Sequence, residues 1–264
     1  MDLLQAMKNR HSVRSYTDRP IEGSTKESLL SFIRQCNEES GLHMQLVLNE
    51  PNAFDGLMAH YGKFSGVRNY IAVIGKKGKD LEETCGYYGE KVVLYAQTLG
   101  LNTCWVAMTY SKIRSAYRVD EGEKLCLVIS IGYGSTQGMP HKSKTRESVI
   151  KEQGTMPDWF KNGIDAALLA PTAMNQQKFV FSLNGDVVSA KAGVGFYSKI
   201  DLGIVNFLFE VGTGKEISGG AKFGNGNLPQ NRFIRRFCGS FCALYKKKLS
   251  SFYFSGFQTG STYI

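Results

Sequence analysis

Two arginines and a serine stand at alternate positions near the start of the chain, in Arg10-His11-Ser12-Val13-Arg14. In an extended segment, side chains two apart point the same way, so Arg10, Ser12 and Arg14 would share one face. That face offers two guanidinium forks and a hydroxyl to one acceptor. It suits a dianion, because arginine gives bidentate, charge-assisted hydrogen bonds to phosphate oxygens; the other reading of the same spacing is a solvated basic surface. A second polar cluster is Ala170-Pro171-Thr172-Ala173-Met174-Asn175-Gln176-Gln177. Its amides both donate and accept hydrogen bonds, and the same letters also suit a capped turn between a helix and a strand. Lys142 and Lys144 lie in a basic loop after Gly132-Tyr133-Gly134, either solvated or reaching an anion. Those glycines lack the third glycine and the following helix of a dinucleotide fingerprint.

The elements that must position these residues follow from periodicity. Leu3, Leu4 and Met7 mark a short opening helix that gives way at Arg10, and Leu29, Leu30, Ile33 and Cys36 mark a helix over residues 25–37. Residues 43–48 and 70–74 are β-rich, with a small helix expected over 52–60. The strongest helical pattern runs over residues 81–99, where Leu81, Tyr88, Val92, Tyr95, Ala96 and Leu99 recur at helical spacing and Gly100 stops the run. Residues 103–107 then read as a strand, 111–117 as a serine-capped helix, and 124–131 as an apolar strand. A second block starts near Arg146. It holds a helix with Trp159, Phe160, Ile164 and Leu168 ending before Pro171, strands at 179–183 and 187–190 across Asn184-Gly185, and a helix over 201–210. Strands and helices alternate, so the class is mixed α/β or α+β.

With 264 residues and 42% apolar content the chain can bury a proper core. The net charge of +9 is concentrated: residues 217–264 carry seven basic side chains and no acidic one, and nine minus these seven leaves +2 for residues 1–216. That glycine-, serine- and aromatic-rich tail has no sustained period and is expected to be poorly ordered. Six cysteines show no ligand-like or framework spacing apart from a weak C-x-x-x-C at Cys238 and Cys242, and no metal site is expected. No apolar run reaches membrane-spanning length and the first residues lack a secretory pattern, so a cytoplasmic address is expected.

Several of these stretches together resemble the nitroreductase superfamily. Arg10-His11-Ser12-Val13-Arg14 after a short helix is similar to its phosphate-binding signature. Tyr87-Tyr88-Gly89-Glu90 with Gly100-Leu101-Asn102-Thr103-Cys104-Trp105-Val106 looks like its central helix and the strand leading to the flavin ring. Residues 170–177 resemble its Pro-Ser-x-x-Asn-x-Gln-Pro motif, with Lys178 in place of the final proline. The resemblance implies an α+β fold with a central mixed or antiparallel sheet flanked by helices, and bound FMN. It places Arg10, His11, Ser12, Arg14 and Lys142 or Lys144 at the phosphate. A backbone N–H at Ala107, Met108 or Thr109 would lie near flavin N5, and Pro171, Thr172, Ala173, Asn175 and Gln176 against the ring. Ala107 and Met108 stand where glycines are usual.

The late motif resembles a branch in which the second half mimics a partner subunit. The chain is accordingly divided into a core half (1–145), a second half (146–216) and a tail (217–264), acting as a monomeric pseudo-dimer or as a homodimer. NADH or NADPH would be the hydride donor and a nitroaromatic, a quinone or a similar electron-poor small molecule the acceptor. No side-chain catalyst is then needed, and His11, His43, His60 and His141 have no catalytic role. The rival readings are a flavin-storing or flavin-sensing protein without turnover and, from the basic tail, a nucleic-acid-binding module; nucleic acid and membrane are not the expected partners.

Overall fold

The computed structural model of the chain describes residues 1–151, 156–185 and 187–213. The expectation for the tail, residues 217–264, lies outside the described residues. Helix α1 (Leu3–Asn9) starts where the Asp2 carboxylate accepts the Gln5 N–H at 2.7 Å, the usual N-cap bond. Helix α2 (Gly23–Ser40) ends at Gly41, which takes the left-handed conformation (φ 70°) and donates its N–H to Asn37 O. It buries Leu29, Phe32, Ile33 and Cys36, much of the stripe read from the sequence.

Strands β1 (Gln45–Val47), β2 (Tyr70–Lys76), β3 (Asn102–Val106) and β4 (Glu123–Gly132) form one sheet in the order β1-β2-β4-β3, with every neighbouring pair antiparallel. The chain entering from α1 runs along the free side of β3: Ser12 bridges Thr103 in parallel and the Val13 N–H donates to Thr103 O at 3.0 Å. Alternation divides the sheet into two faces. Ile71, Val73, Ile129 and Ile131 join the larger core beneath the helices, while Tyr70, Ala72, Ile74 and Val128 join a smaller one with Val13, Tyr16, Phe54 and Phe64.

Helix α3 (Leu57–Tyr61) is short, and α4 (Leu81–Thr98) is the central helix. Glu82 and Glu83 occupy the first turn of α4, where negative charge suits the helix dipole. After it come α5 (Asp158–Ala167), the hairpin β5 (Phe179–Asn184) and β6 (Val187–Ala192), and α6 (Ser198–Thr213). Helix α6 is buried over nearly its whole length and lies against both α4 and α5. Its crossing with α4 is backbone to backbone. A Cβ on Gly203 would stand 2.0 Å from Glu83 O, and one on Gly86 would stand 2.0 Å from Ile200 O. Among the described residues no helix is long and apolar enough to cross a membrane.

The architecture is the expected α+β, with differences in detail. Residues 111–117 form turns rather than a helix; the Ser111 N–H donates to Ala53 O (2.8 Å), which ties the segment to the loop beside α3, and the Ala116 N–H closes a single turn on Ile113 O (3.0 Å). The helix expected over residues 52–60 is broken at Asp55 and Gly56 into a 3-10 turn (Asn52–Phe54) and α3. In the second block a 3-10 turn (Arg146–Val149) precedes α5, which begins immediately after Pro157.

The glycine crossing gives a direct test. Gly203→Ala drives a Cβ into a backbone carbonyl that no rotamer change can move, and is expected to lower stability by about 1–3 kcal/mol or more. Gly78→Ala, where the added carbon meets only Lys76 O at 4.0 Å, is expected to stay within ~0.5 kcal/mol of the parent. Urea unfolding of both variants checks the difference.

Candidate functional site

The two arginines of the opening segment have different surroundings. Arg10, the C-cap of α1, is only 4% exposed and is turned inward to α4. Its Nε lies 3.6 Å from Glu90 Oε1, and its Nη2 donates to Leu169 O at 3.4 Å, just ahead of Pro171. Glu90 is fully buried; its Oε2 accepts the Trp105 indole N–H at 3.0 Å, while Oε1 has no hydrogen-bond partner and depends on the charge of Arg10. Burial pushes the Glu90 carboxyl up to about 7, with Arg10 and Trp105 opposing the shift.

Arg14 is exposed, its guanidinium 5.9 Å from the centre of the Phe64 ring. Ser12, half-buried, hydrogen-bonds the Cys104 thiol. Arg10, Ser12 and Arg14 all act on the Cys104 thiol, Ser12 by a hydrogen bond and the two arginines by their charge; they differ in depth, the buried carboxylate of Glu90 drawing Arg10 inward and leaving Arg14 as the exposed arginine. His11 is half-buried, and its pKa is lowered first by burial and then by the charges of Arg10 and His141.

The loop carrying Lys142 and Lys144 lies over this segment. A Cβ on Gly138 would stand 2.8 Å from His11 Cβ and 3.2 Å from Ser12 O. Asn102 holds the same loop from below, accepting the Gly134 N–H at 3.0 Å and donating to Gln137 at 3.1 Å. Further along, the loop meets the second block. His141 Nε2 and the Ser143 hydroxyl both bond Leu168 O at 3.0 Å, and Lys144 Nζ donates to Gln177 O at 2.8 Å. Lys142 and Lys144 are both exposed, and one donor of the Lys144 ammonium is taken by that carbonyl.

Residues 171–177 form a tight turn with three consecutive elements of internal support. Met174, Asn175 and Gln177 all have positive φ (53°, 52° and 45°), a costly conformation for non-glycine residues. Thr172 Oγ1 accepts the Gln177 N–H at 3.1 Å. Asp201, in the first turn of α6, accepts the Ala173 N–H at 3.0 Å and the Gln176 side-chain N–H at 2.8 Å. Gln176 also donates to Phe196 O at 2.7 Å, so its amide nitrogen is engaged with protein. Asn175 donates to Lys142 O at 2.9 Å. Burial raises Asp201 to about 6, with the bonds from Gln176 and Ala173 acting against it.

Gln177 is the residue the sequence reading passed over. It is buried, accepts the Lys144 N–H at 2.8 Å and donates to Lys142 O and Asn175 Oδ1, both at 2.8 Å. One amide thereby fastens the turn to the basic loop. Its neighbour Lys178, where a proline is usual, was the visible signal that this end of the motif is held differently.

At the end of β3, Ala107 and Thr109 are half-buried and Met108 is 65% exposed, so Met108 fills no core. Tyr110 follows, with its phenol raised by burial and by the nearby phenols of Tyr117 and Tyr197. The segment after β6 that supplies Phe196 O to Gln176 therefore also neighbours the end of β3. Pro171, Thr172 and Ala173 are half-buried, and Met174 and Phe196 are exposed. One chain thus brings together residues 10–14, 141–144 and 168–177.

Away from this region His43, Asp120 and Glu123 gather their ligand atoms within 4.8 Å. Their groups are engaged within the protein: Glu123 Oε2 is 2.9 Å from His43 Nδ1 and accepts the Asp120 backbone N–H at 2.9 Å. Asp120 also pairs with Arg118.

Comparison with known proteins comes from families and solved structures. The model of the family described as "Putative TM nitroreductase" matches residues 2–213. A crystal structure described as a "putative nitroreductase" from Thermotoga maritima MSB8 superposes with a TM-score of 0.56 at 22% identity, covering 79% of this chain and 82% of that one. A "putative nitroreductase in complex with FMN" from Desulfovibrio desulfuricans gives 0.43 at 19% identity, over 59% of this chain and 99% of that one. An "FMN-dependent nitroreductase" from Clostridium difficile R20291 gives 0.41 at 20% identity, over 50% and 88%. No curated protein matches the chain.

The buried pair makes a pH-dependent prediction. Glu90 is raised above the ordinary carboxylate value, so the folded protein holds a proton there that the unfolded chain has lost; this group's contribution to stability falls as pH rises from about 4.5 through about 7. Arg10→Ala removes the charge that opposes the shift and extends that window upward. The variant is expected to lose about 3–5 kcal/mol above neutral pH and to recover part of it near pH 5, whereas Arg10→Ala with Glu90→Gln should show a flatter profile. Urea unfolding across that range measures both.

Proposed function

We propose, for a chain that belongs to the nitroreductase superfamily, that it is an FMN-dependent oxidoreductase drawing hydride from NADH or NADPH. Its acceptor would be an electron-poor small molecule such as a nitroaromatic or a quinone. The observation that carries the reading is the meeting, within one chain, of the arginine segment, the basic loop and the amide-rich turn, each of which the family pattern assigns to the flavin.

The donor set fits the group. Arg14 and Lys142 are exposed cations on adjoining segments, suited to a phosphate dianion. His11 is half-buried within reach of the charges of Arg10 and His141, and Ser12 adds a hydroxyl. Arg10 contributes from beneath, through the field of a guanidinium that Glu90 fixes in place. Lys144 holds the loop through Gln177 O. The backbone N–H groups of residues 107–109 would face the ring edge, and Pro171, Thr172, Ala173, Asn175 and Gln176 would pack or bond along it. When bound, FMN supplies the hydride-accepting and hydride-donating centre, so the chain's own task is to orient and to exclude water.

In this reading residues 1–145 and 146–216 are two unequal halves of one site, the second half supplying in cis what a partner subunit would otherwise bring. A monomer suffices for flavin binding, and the setting is cytoplasmic. Exposed Met108, Met174 and Phe196 give the acceptor apolar surface beside the ring.

The purified protein is expected to show a flavin spectrum, to release FMN rather than FAD on denaturation, and to bleach on addition of NADH or NADPH. Bound flavin that does not bleach would support a storage or sensing protein instead. Arg14→Ala with Lys142→Ala should weaken FMN binding at least ~10-fold, about 1.4 kcal/mol, at unchanged unfolding midpoint of the flavin-free protein. Retention of FMN at full occupancy by that double variant would remove the phosphate assignment.

A further inference from the structure

The pairing of β2 with β4 slips by one residue. Val73 stands opposite Leu127 and Ile74 opposite Leu125, so Cys126 has no partner across the strand. A bulge of this kind re-aims side chains. Here Cys126 and Leu127 both turn to the larger core, while Leu125 packs against the smaller core on the other face. Facing Cys126 from the first half of α4 is Cys85, one turn on from Glu82, and the two thiols interact within the larger core. Both are free thiols. Lys124 and Glu82 pair at 3.2 Å between the same strand and the same helix.

The two thiols are not equivalent. Cys85 is fully buried, and Cys126 is half-buried. The interaction with Cys85 and the nearby Lys124 ammonium lower the Cys126 thiol below its ordinary value against the opposing effect of burial, while the same interaction and burial raise Cys85. A reactive, more exposed thiol backed by a buried one is the arrangement of an attacking and a resolving cysteine. The other described cysteines have different surroundings: Cys36 lies near Lys91 and Glu39, and Cys104 bonds Ser12.

We propose that Cys85 and Cys126 form a redox-active dithiol that small disulfides such as oxidised glutathione convert to an intramolecular disulfide clamping α4 to β4. The Cys126 thiolate attacks one sulfur of the small disulfide, whose S–S bond breaks, and one glutathione leaves as a thiolate that takes up a proton. Cys85 then attacks the Cys126 sulfur and displaces the second glutathione, which takes up the proton that Cys85 loses. Two protein thiols are oxidised and one glutathione disulfide is reduced to two thiols. The device needs no flavin, so it stands or falls apart from the function proposed above.

The test equilibrates the full-length protein with oxidised glutathione, alkylates the remaining thiols under denaturing conditions and maps the peptides by mass spectrometry. In the wild type the expected product joins the Cys85 peptide to the Cys126 peptide, with Cys36 and Cys104 alkylated. In Cys85→Ser, glutathione is expected to remain attached to Cys126, and in Cys126→Ser, Cys85 should be recovered alkylated. An unreacted Cys126 in the wild type overturns the proposal, as does glutathione persisting there to the same extent as in Cys85→Ser, or Cys126 joined to another cysteine. Should either serine variant fail to fold, the wild-type peptide map decides alone.

Discussion

Gly86 and Gly203 let the backbones of α4 and α6 touch, and the polar interior of the molecule is arranged around that contact. Two helices this close share a layer in which side chains have little access to water, so every polar group in it needs a partner. Asn206 donates to Glu83 at 3.0 Å and the Tyr87 hydroxyl to Glu210 at 2.6 Å, both between the two helices. The same crossing fixes where the first turn of α6 begins. Asp201 stands on that turn, so the position of residues 173–176 is inherited from a steric fit in the core.

Three buried carboxyls follow from this design, and all are shifted in one direction. Burial raises Glu90 and Glu210 to about 7 and Asp201 to about 6. Their hydrogen bonds and nearby cations oppose the shift without cancelling it. Groups of this kind weaken the fold as pH rises through their range, since the unfolded chain surrenders its protons first. Their return is directional: Glu90 orients Arg10 and the Trp105 indole, Glu210 takes the Tyr87 hydroxyl, and Asp201 takes two donors from the turn. Hydrophobic side chains of equal volume would fill the space but could not fix those donors.

Much of this was legible in the chain. The period of residues 81–99 gave α4 almost to the residue, and Asn184-Gly185 marked the hairpin of β5 and β6. Those signals are local, set by spacing and turn chemistry. The inward turn of Arg10 depends on a carboxylate eighty residues further along, and the period-two argument that grouped it with Arg14 knows nothing of such a partner. Gly86 and Gly203 did carry a signal: a glycine inside a strong helix costs roughly 1 kcal/mol against alanine, and two of them ask what lies against each. Residues 111–117 went the other way, a helical pattern that ends as turns tied at Ser111 to Ala53. The re-aiming of Cys126 depends on a strand register that its own letters do not contain.

The electrostatics of the arginine segment change accordingly. With Arg10 buried against Glu90 and the Lys144 ammonium tied to a carbonyl, Arg14 and Lys142 are the exposed cations best placed to turn toward a phosphate in the proposed site. His11 does not add a third at neutral pH, because burial, Arg10 and His141 all hold its pKa below the ordinary imidazole value. It would serve as a neutral hydrogen-bond donor whose tautomer its neighbours select. The segment that reads as two arginines on one face therefore works as one arginine for the ligand and one for the fold.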